Sequence, residues 1–199
     1  MKINVVGLGY IGLPTALTMA NAGFTVVGTD YNKGLVETLN AGKVTFEEKG
    51  LVELFNSAVS TGNISFSNDY QEAEVYIVSV PTPYDKFSKK IDASYVINAV
   101  KEVLNVCKDE SIIVIESTIS PGTIEKYIKP LVNKNVYLAH APERIIPGNM
   151  VYELKHNSRT IGADDMLVGE KIANIYRKTT DGEVVVTTIK NAEMTKVVQ

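Results

Sequence analysis

The 199-residue chain contains a single cysteine, Cys107, and only two histidines. One thiol excludes an internal disulfide, and so sparse a supply of Cys and His leaves no group with metal-ligand spacing, so no metal centre is expected. A reducing compartment, the cytoplasm, is the simplest setting for such a chain. Charge of one sign is also missing: 20 Lys and Arg stand against 23 Asp and Glu. This balance gives no electrostatic footprint for nucleic acid or an anionic membrane surface, and neither is expected as a partner. No apolar run approaches the roughly 18 residues of a membrane span. The short run after Met1 lacks the charged, long apolar and cleavage regions of a signal peptide.

What is present suits a real core, since hydrophobic residues make up 45% of the chain. Short runs rich in Val and Ile recur at 3–7, 25–30, 64–67, 75–80, 111–117 and 136–141. Several are apolar on consecutive residues, the pattern of strands covered on both faces. Helical periodicity fills 11–22, 32–40, 93–106 and 122–132, and the long interval from Asn32 to Asn63 predicts a second helix within "EEKGLVELFNSAV". After Pro147 a strand at "SRTIGA", a helix at 164–178, a strand at "EVVVTT" and a helix from 189 are expected. Strand alternating with helix predicts an α/β fold of the Rossmann type, a doubly wound parallel sheet with helices on both faces. Residues 1–188 are expected to form that domain, with 189–199 opening a further helix.

The stretch "INVVGLGYIGLPTA" gives the sheet a task. Gly7, Gly9 and Gly12 follow a strand and open a helix, and Asp30 closes the next strand about 20 residues on, the context of a dinucleotide fingerprint. Gly7 permits the tight turn, Gly9 lets backbone approach a pyrophosphate, and Gly12 allows close helix–strand packing. The amides of Tyr10 and Ile11 lie at a positive helix end. Asp30 would accept hydrogen bonds from the adenosine ribose and repel a 2′-phosphate, which selects NAD. Lys33 lies within reach of the same edge, where a solvated surface lysine is the competing reading.

Other strand ends converge on this edge. "VSVPTP" places Val80, Pro81 and Thr82 where doubly wound sheets switch direction, either as a ligand loop or as a rigid turn. "ESTISPGT" brings Thr118, and "APERIIPG" brings Glu143 and Arg144. Taken singly, Thr118 also reads as a helix cap and Glu143 with Arg144 as a surface pair. His140 reads as a strand-end structural histidine, and Cys107 as a core or surface thiol on the sheet flank.

"VVGLGYIGLP", "VSVPTP", "ESTISPGT", "APERIIPGNMVYEL" and "NAEMTK", in this order, resemble the amino-terminal part of the nucleotide-sugar 6-dehydrogenases. The resemblance spans essentially the whole chain. It implies twofold oxidation of a sugar C6 alcohol to a carboxylate with two NAD. Where the UDP-glucose and GDP-mannose branches carry a phenylalanine after the glutamate and an acidic residue before the glycine, this chain has Arg144 and Pro147. "PERIIPG" is similar to the branch that oxidises UDP-N-acetyl-D-mannosamine; UDP-N-acetylglucosamine, UDP-glucose and GDP-mannose stand as alternative substrates, and a non-catalytic NAD-sensing module as an alternative function.

By this resemblance Thr118, Glu143 and Lys196 are the catalytic residues. Thr118 and Glu143 would position or activate water and the substrate hydroxyl, and Lys196 would stabilise negative charge on the C6 oxygen. Glu143 and Arg144 would contact the nucleotide-sugar substrate. The helix from 189 would begin a central dimerising element of a homodimer. The family's thioester cysteine and its sugar-nucleotide domain are expected downstream of Gln199, so the chain alone is expected to be inactive.

Overall fold

The structure, a computed structural model, describes residues 1–87 and 90–198. The chain begins with β1 (Lys2–Val6), α1 (Gly12–Asn21), β2 (Thr25–Thr29), α2 (Lys33–Asn40), α3 (Leu51–Ser60), β3 (Ile64–Ser67) and β4 (Val75–Val78). The short strands β5 (Tyr84–Asp85) and β6 (Lys90–Ile91) pair with each other before α4 (Ser94–Val106) and β7 (Ile112–Ile115). An irregular helical segment over 124–131 leads to β8 (Tyr137–His140) and α5 (Met150–His156). The order closes with β9 (Arg159–Ala163), α6 (Met166–Tyr176), β10 (Val184–Thr187) and α7 (Ile189–Val197). Gln199, the last residue of the helical segment expected from 189, lies outside the described residues.

The main sheet has the order β10–β9–β8–β7–β4–β1–β2–β3, parallel from β3 through β8. β4 and β7, "VYIV" and "IIVI", are buried at every position. Alternate residues serve opposite layers: Val75 and Ile77 pack in the core under α1, α3 and α6, while Tyr76 and Val78 pack in the core under α4 and α7. Burial of this kind contributes roughly 1.5–3 kcal/mol per large aliphatic side chain, and it requires helices on both faces. The doubly wound sheet read from the sequence is therefore present.

The irregularities have local causes. The helix expected over 122–132 is instead a π turn, Ile124–Ile128, followed by a 3-10 turn, Lys129–Leu131. Pro130 has no N–H to donate to residue 126, so the α ladder cannot run through it. α3 starts later than expected because Gly50 holds a left-handed conformation at φ 79°. α5, which the sequence pattern did not announce, spans only "MVYELKH", too short to establish a period.

The other departure is one of direction. β9 pairs antiparallel to β8, through Ala139–Ala163 and His140–Gly162, and β10 then runs parallel to β9. Because β9 runs backwards, its first residue, Arg159, stands beyond the carboxyl end of β8, alongside the loop that carries Glu143. Among the described residues no helix is long and apolar enough to cross a membrane.

Candidate active site

The glycine turn between β1 and α1 is built as the spacing demands. Gly7 has φ +92°, and a Cβ there would sit 2.4 Å from the Ser79 carbonyl oxygen; one on Gly12 would meet the Gly7 carbonyl oxygen at 1.8 Å. Gly9 differs, because a Cβ there would meet nothing within 4 Å. Its backbone is thus open to an approaching ligand, and the N-cap residue of α1, Ile11, makes no side-chain capping bond. Uncapped amides at a positive helix end suit the two phosphates of a dinucleotide.

The Asp30 carboxylate, at the end of β2, accepts the N–H of Leu8 at 2.8 Å and that of Asn32 at 2.9 Å. These bonds fix its orientation, and each oxygen keeps lone-pair capacity for a ribose hydroxyl. Asp30 lines a cleft of about 200 Å³ together with Gly7, Tyr31, Val80, Pro81 and Tyr95. A glycine turn with an open face, uncapped amides and a carboxylate beside an apolar cleft fit an adenosine diphosphate moiety. Thr82 is half-buried on the following turn, and Lys33 is exposed at the first position of α2.

Ser117, which sequence reasoning passed over, stitches two of these loops together. Its hydroxyl accepts the N–H of Val80 at 2.9 Å and lies 2.7 Å from the Val80 carbonyl oxygen. The loop at 80–82 is thereby registered against exposed Thr118, the next residue along.

Glu143 and Lys196 meet directly: the Lys196 ammonium donates to the Glu143 backbone carbonyl. Partial burial pushes the Lys196 pKa down, opposed by the negative charge of Glu143 and aided by Arg144. The Glu143 side chain is 6% exposed; one oxygen accepts the Arg144 N–H at 2.8 Å and the other pairs with Arg159. Arg144 itself is exposed, donates to the Ser158 carbonyl at 2.9 Å, and shares a small depression with Pro142, Thr160, Thr195 and Lys196. The guanidinium that neutralises Glu143 is therefore that of Arg159, not that of its neighbour in sequence.

Arg159 also faces Glu116, at 3.3 Å, and lies over the Tyr176 ring at 4.6 Å. The Glu116 carboxylate accepts from the Tyr176 hydroxyl at 3.3 Å and from the Thr15 hydroxyl of α1 at 3.2 Å. Burial raises the Glu116 pKa, and Arg159 offsets this in part. Burial alone would lower that of Arg159, but the two carboxylates outweigh it and hold the guanidinium charged. This buried cluster escaped the sequence reading because it depends on the reversed direction of β9. The fragment "ES" ahead of Thr118 was its only local trace.

The remaining titratable candidates are structural. His140 is fully buried, with Nδ1 2.8 Å from the Ile115 carbonyl oxygen, and burial lowers its pKa to about 4. Cys107 is buried after α4, and burial raises the pKa of its thiol. It precedes the first residue of β7, so it lies at the amino edge of the sheet, opposite the edge that carries Thr118 and Glu143. Among the described residues no group of His, Cys, Asp and Glu has an arrangement that could hold a metal ion.

The sequence and the fold match those of known proteins closely. The family model for the UDP-glucose/GDP-mannose dehydrogenase family, NAD binding domain, matches residues 1–180. A UDP-N-acetyl-D-mannosamine dehydrogenase of Methanococcus maripaludis is 42% identical over 201 residues, which is 100% of this chain and 47% of the relative. The Escherichia coli protein of the same name is 33% identical, over 99% of this chain and 50% of its own. The UDP-N-acetyl-mannosamine dehydrogenase Cap5O from Staphylococcus aureus superposes with a TM-score of 0.93 at 36% identity, covering 100% of this chain and 49% of that one. The chain spans about half the length of the curated relatives it matches.

Proposed function

The chain belongs to the UDP-glucose/GDP-mannose dehydrogenase family, and on that premise we propose that it is the NAD-binding part of an enzyme that oxidises UDP-N-acetyl-D-mannosamine at C6 to the uronate, with two NAD. The observation that carries the reading is the contact of the Lys196 ammonium with the Glu143 backbone, at the same sheet edge as the dinucleotide turn. "PERIIPG" and the relatives named UDP-N-acetyl-D-mannosamine dehydrogenase support the choice of sugar.

In this reading Gly7, Gly9, Gly12 and the amides of Tyr10 and Ile11 hold the pyrophosphate, and Asp30 holds the adenosine ribose. Val80, Pro81, Thr82 and Thr118 flank the nicotinamide side, and Lys33 borders the adenosine. When bound, NAD supplies the acceptor for hydride from C6. Lys196, half-buried and with a depressed pKa, stabilises the negative charge that builds on the C6 oxygen as its proton leaves. Glu143, fixed by Arg159 on one oxygen, orients or deprotonates the water of the final hydrolysis, and Thr118 positions it. Arg144, exposed beside Lys196, contacts the sugar nucleotide. The setting is cytoplasmic. Residues 1–188 form the NAD-binding domain, and α7 begins the dimerising helix of a homodimer, with Met194 and Val197 exposed along it and Val198 exposed just after it.

Calorimetric titration of the 199-residue chain tests the cofactor assignment. NAD(H) should bind and NADP(H) should bind more weakly, because Asp30 opposes a 2′-phosphate. Asp30→Asn should narrow the difference, and equal affinity of the native chain for both would overturn the assignment.

A further inference from the structure

The segment 43–50, between α2 and α3, has no regular secondary structure, yet it touches both halves of the site. Its Phe46 ring lies 4.5 Å from the ring of Tyr10, a residue of the glycine turn that is 55% exposed. Its Glu48 carboxylate spans to the far loop: one oxygen accepts the N–H of Gly148 at 2.8 Å and the other that of Met150 at 3.0 Å. Gly50 closes the segment against α5, where a Cβ on it would meet Val151 at 3.6 Å.

The loop from Pro142 to Asn149 is thus held at both ends. At its start Glu143 is fixed by Arg159 and Lys196. At its end two charge-assisted bonds from Glu48 fix a stretch in which Gly148 adopts φ +102°, a left-handed geometry. Between its ends, the N–H of Ile146 donates to Glu153 of α5 at 2.9 Å. Without Glu48 the carboxyl end of this loop would lose these two bonds to the segment before α3 and keep only the apolar packing of Met150 and Val151.

We propose that Glu48 is a positioning residue for the loop that carries Glu143 and Arg144, and that Phe46 makes this hold respond to the dinucleotide through Tyr10. The inference rests on the cofactor reading above. A dinucleotide seated on the glycine turn restrains Tyr10; Tyr10 restrains Phe46; and Glu48, next but one along the same short segment, then fixes Gly148 and Met150. Coupling of this kind is reciprocal. If cofactor steadies the loop, it binds the closed loop more tightly than the open one, so loss of the Glu48 anchor weakens cofactor binding in so far as it populates the open loop, by at most the factor of that steadying.

Amide hydrogen exchange read by NMR on the 199-residue chain, with and without NAD, tests the proposal. In the native chain NAD should slow exchange at Gly148 and Met150 by about threefold to tenfold. Glu48→Ala should speed both amides by roughly tenfold, abolish their response to NAD and weaken NAD binding. Glu48→Gln, which keeps one carbonyl acceptor, should restore part of the protection. Phe46→Ala should leave protection in the free chain intact and abolish only the response to NAD, an effect that a merely structural role of Glu48 would not produce. Unchanged amides in β1 and β2 would show that each variant is folded. If NAD gives a normal calorimetric signal while Gly148 and Met150 exchange as before, the coupling is overturned and the cofactor reading stands; if NAD gives no binding signal, the cofactor reading fails first.

Discussion

Glu193 lies one turn of α7 ahead of Lys196, and its carboxylate accepts the N–H of Gly122 at 2.7 Å and that of Ile124 at 3.0 Å. The helix that carries Lys196 is thereby tied to the turn that follows Thr118. The side chain is 1% exposed and Ile124 is fully buried, so its removal leaves the Ile124 amide without a partner and the partly exposed Gly122 amide without its charged acceptor. Glu193→Ala should therefore cost about 2–4 kcal/mol, and Glu193→Gln, with one acceptor left, roughly half as much. Urea denaturation measures both. A loss below about 0.5 kcal/mol for Glu193→Ala would show that the amides find other partners.

His140 makes stability depend on pH in a definite direction. Its pKa is lowered by burial to about 4, from an ordinary value of 6.5. The unfolded chain therefore takes up a proton near pH 6.5 that the folded chain declines until about pH 4. The contribution is complete above 6.5 and is lost as pH falls through this window, reaching about 3 kcal/mol. NMR titration should find the His140 ring still neutral at pH 5.5. A ring that titrates near 6.5 would remove this term.

The parts of the site that depend on spacing within one segment were legible in the sequence. The glycine spacing sets a steric problem that only glycines at 7 and 12 solve, and Asp30 follows from where β2 must end. The strands were legible because a sheet covered on both faces needs consecutive apolar residues. Partners across the sheet were not legible. Glu143 invites pairing with Arg144 beside it, yet the backbone directs Arg144 outward, and Arg159 arrives only because β9 reverses. Hydrophobic pattern carries no information about strand direction, and α5, which makes the reversal, is too short to leave a period. Nothing local in the sequence marks Glu48 or Glu193; only the fold places an amide pair in front of each.

Among the described residues, Arg159 is the one cation paired with both Glu116 and Glu143, each almost wholly buried. Arg159→Met should destabilise the chain by about 3–5 kcal/mol, because it leaves buried carboxylates without a counter-charge. Arg159→Met combined with Glu116→Gln should recover part of that loss, since one of the two charges is then gone. Thermal and chemical denaturation of the four-member cycle gives the coupling between the two positions. Additive effects would mean that Arg159 acts by packing on Tyr176 rather than through charge.

Supplied with NAD and UDP-N-acetyl-D-mannosamine, the 199-residue chain should form no uronate and no detectable NADH, although it should bind NAD. A four-electron oxidation needs two hydride transfers with the aldehyde held between them, and the family resemblance assigns that holding to a thiol. The chain has one thiol, Cys107, and the fold buries it at the amino edge of the sheet, opposite Thr118 and Glu143. Burial also raises its pKa, which disfavours the nucleophilic thiolate. Lys196 and Glu143 are in contact and Asp30 is in place, but orientation of C6 over the cofactor can be worth roughly 7–11 kcal/mol. The chain spans only about half the length of its relatives, and we assign most contacts that would supply this orientation to the other half. Following NADH by absorbance, with Cys107→Ala in parallel, decides the point. Substrate-dependent NADH that disappears with Cys107 would mean that the thiol reaches the site, and NADH that survives the substitution would require a scheme without a thioester.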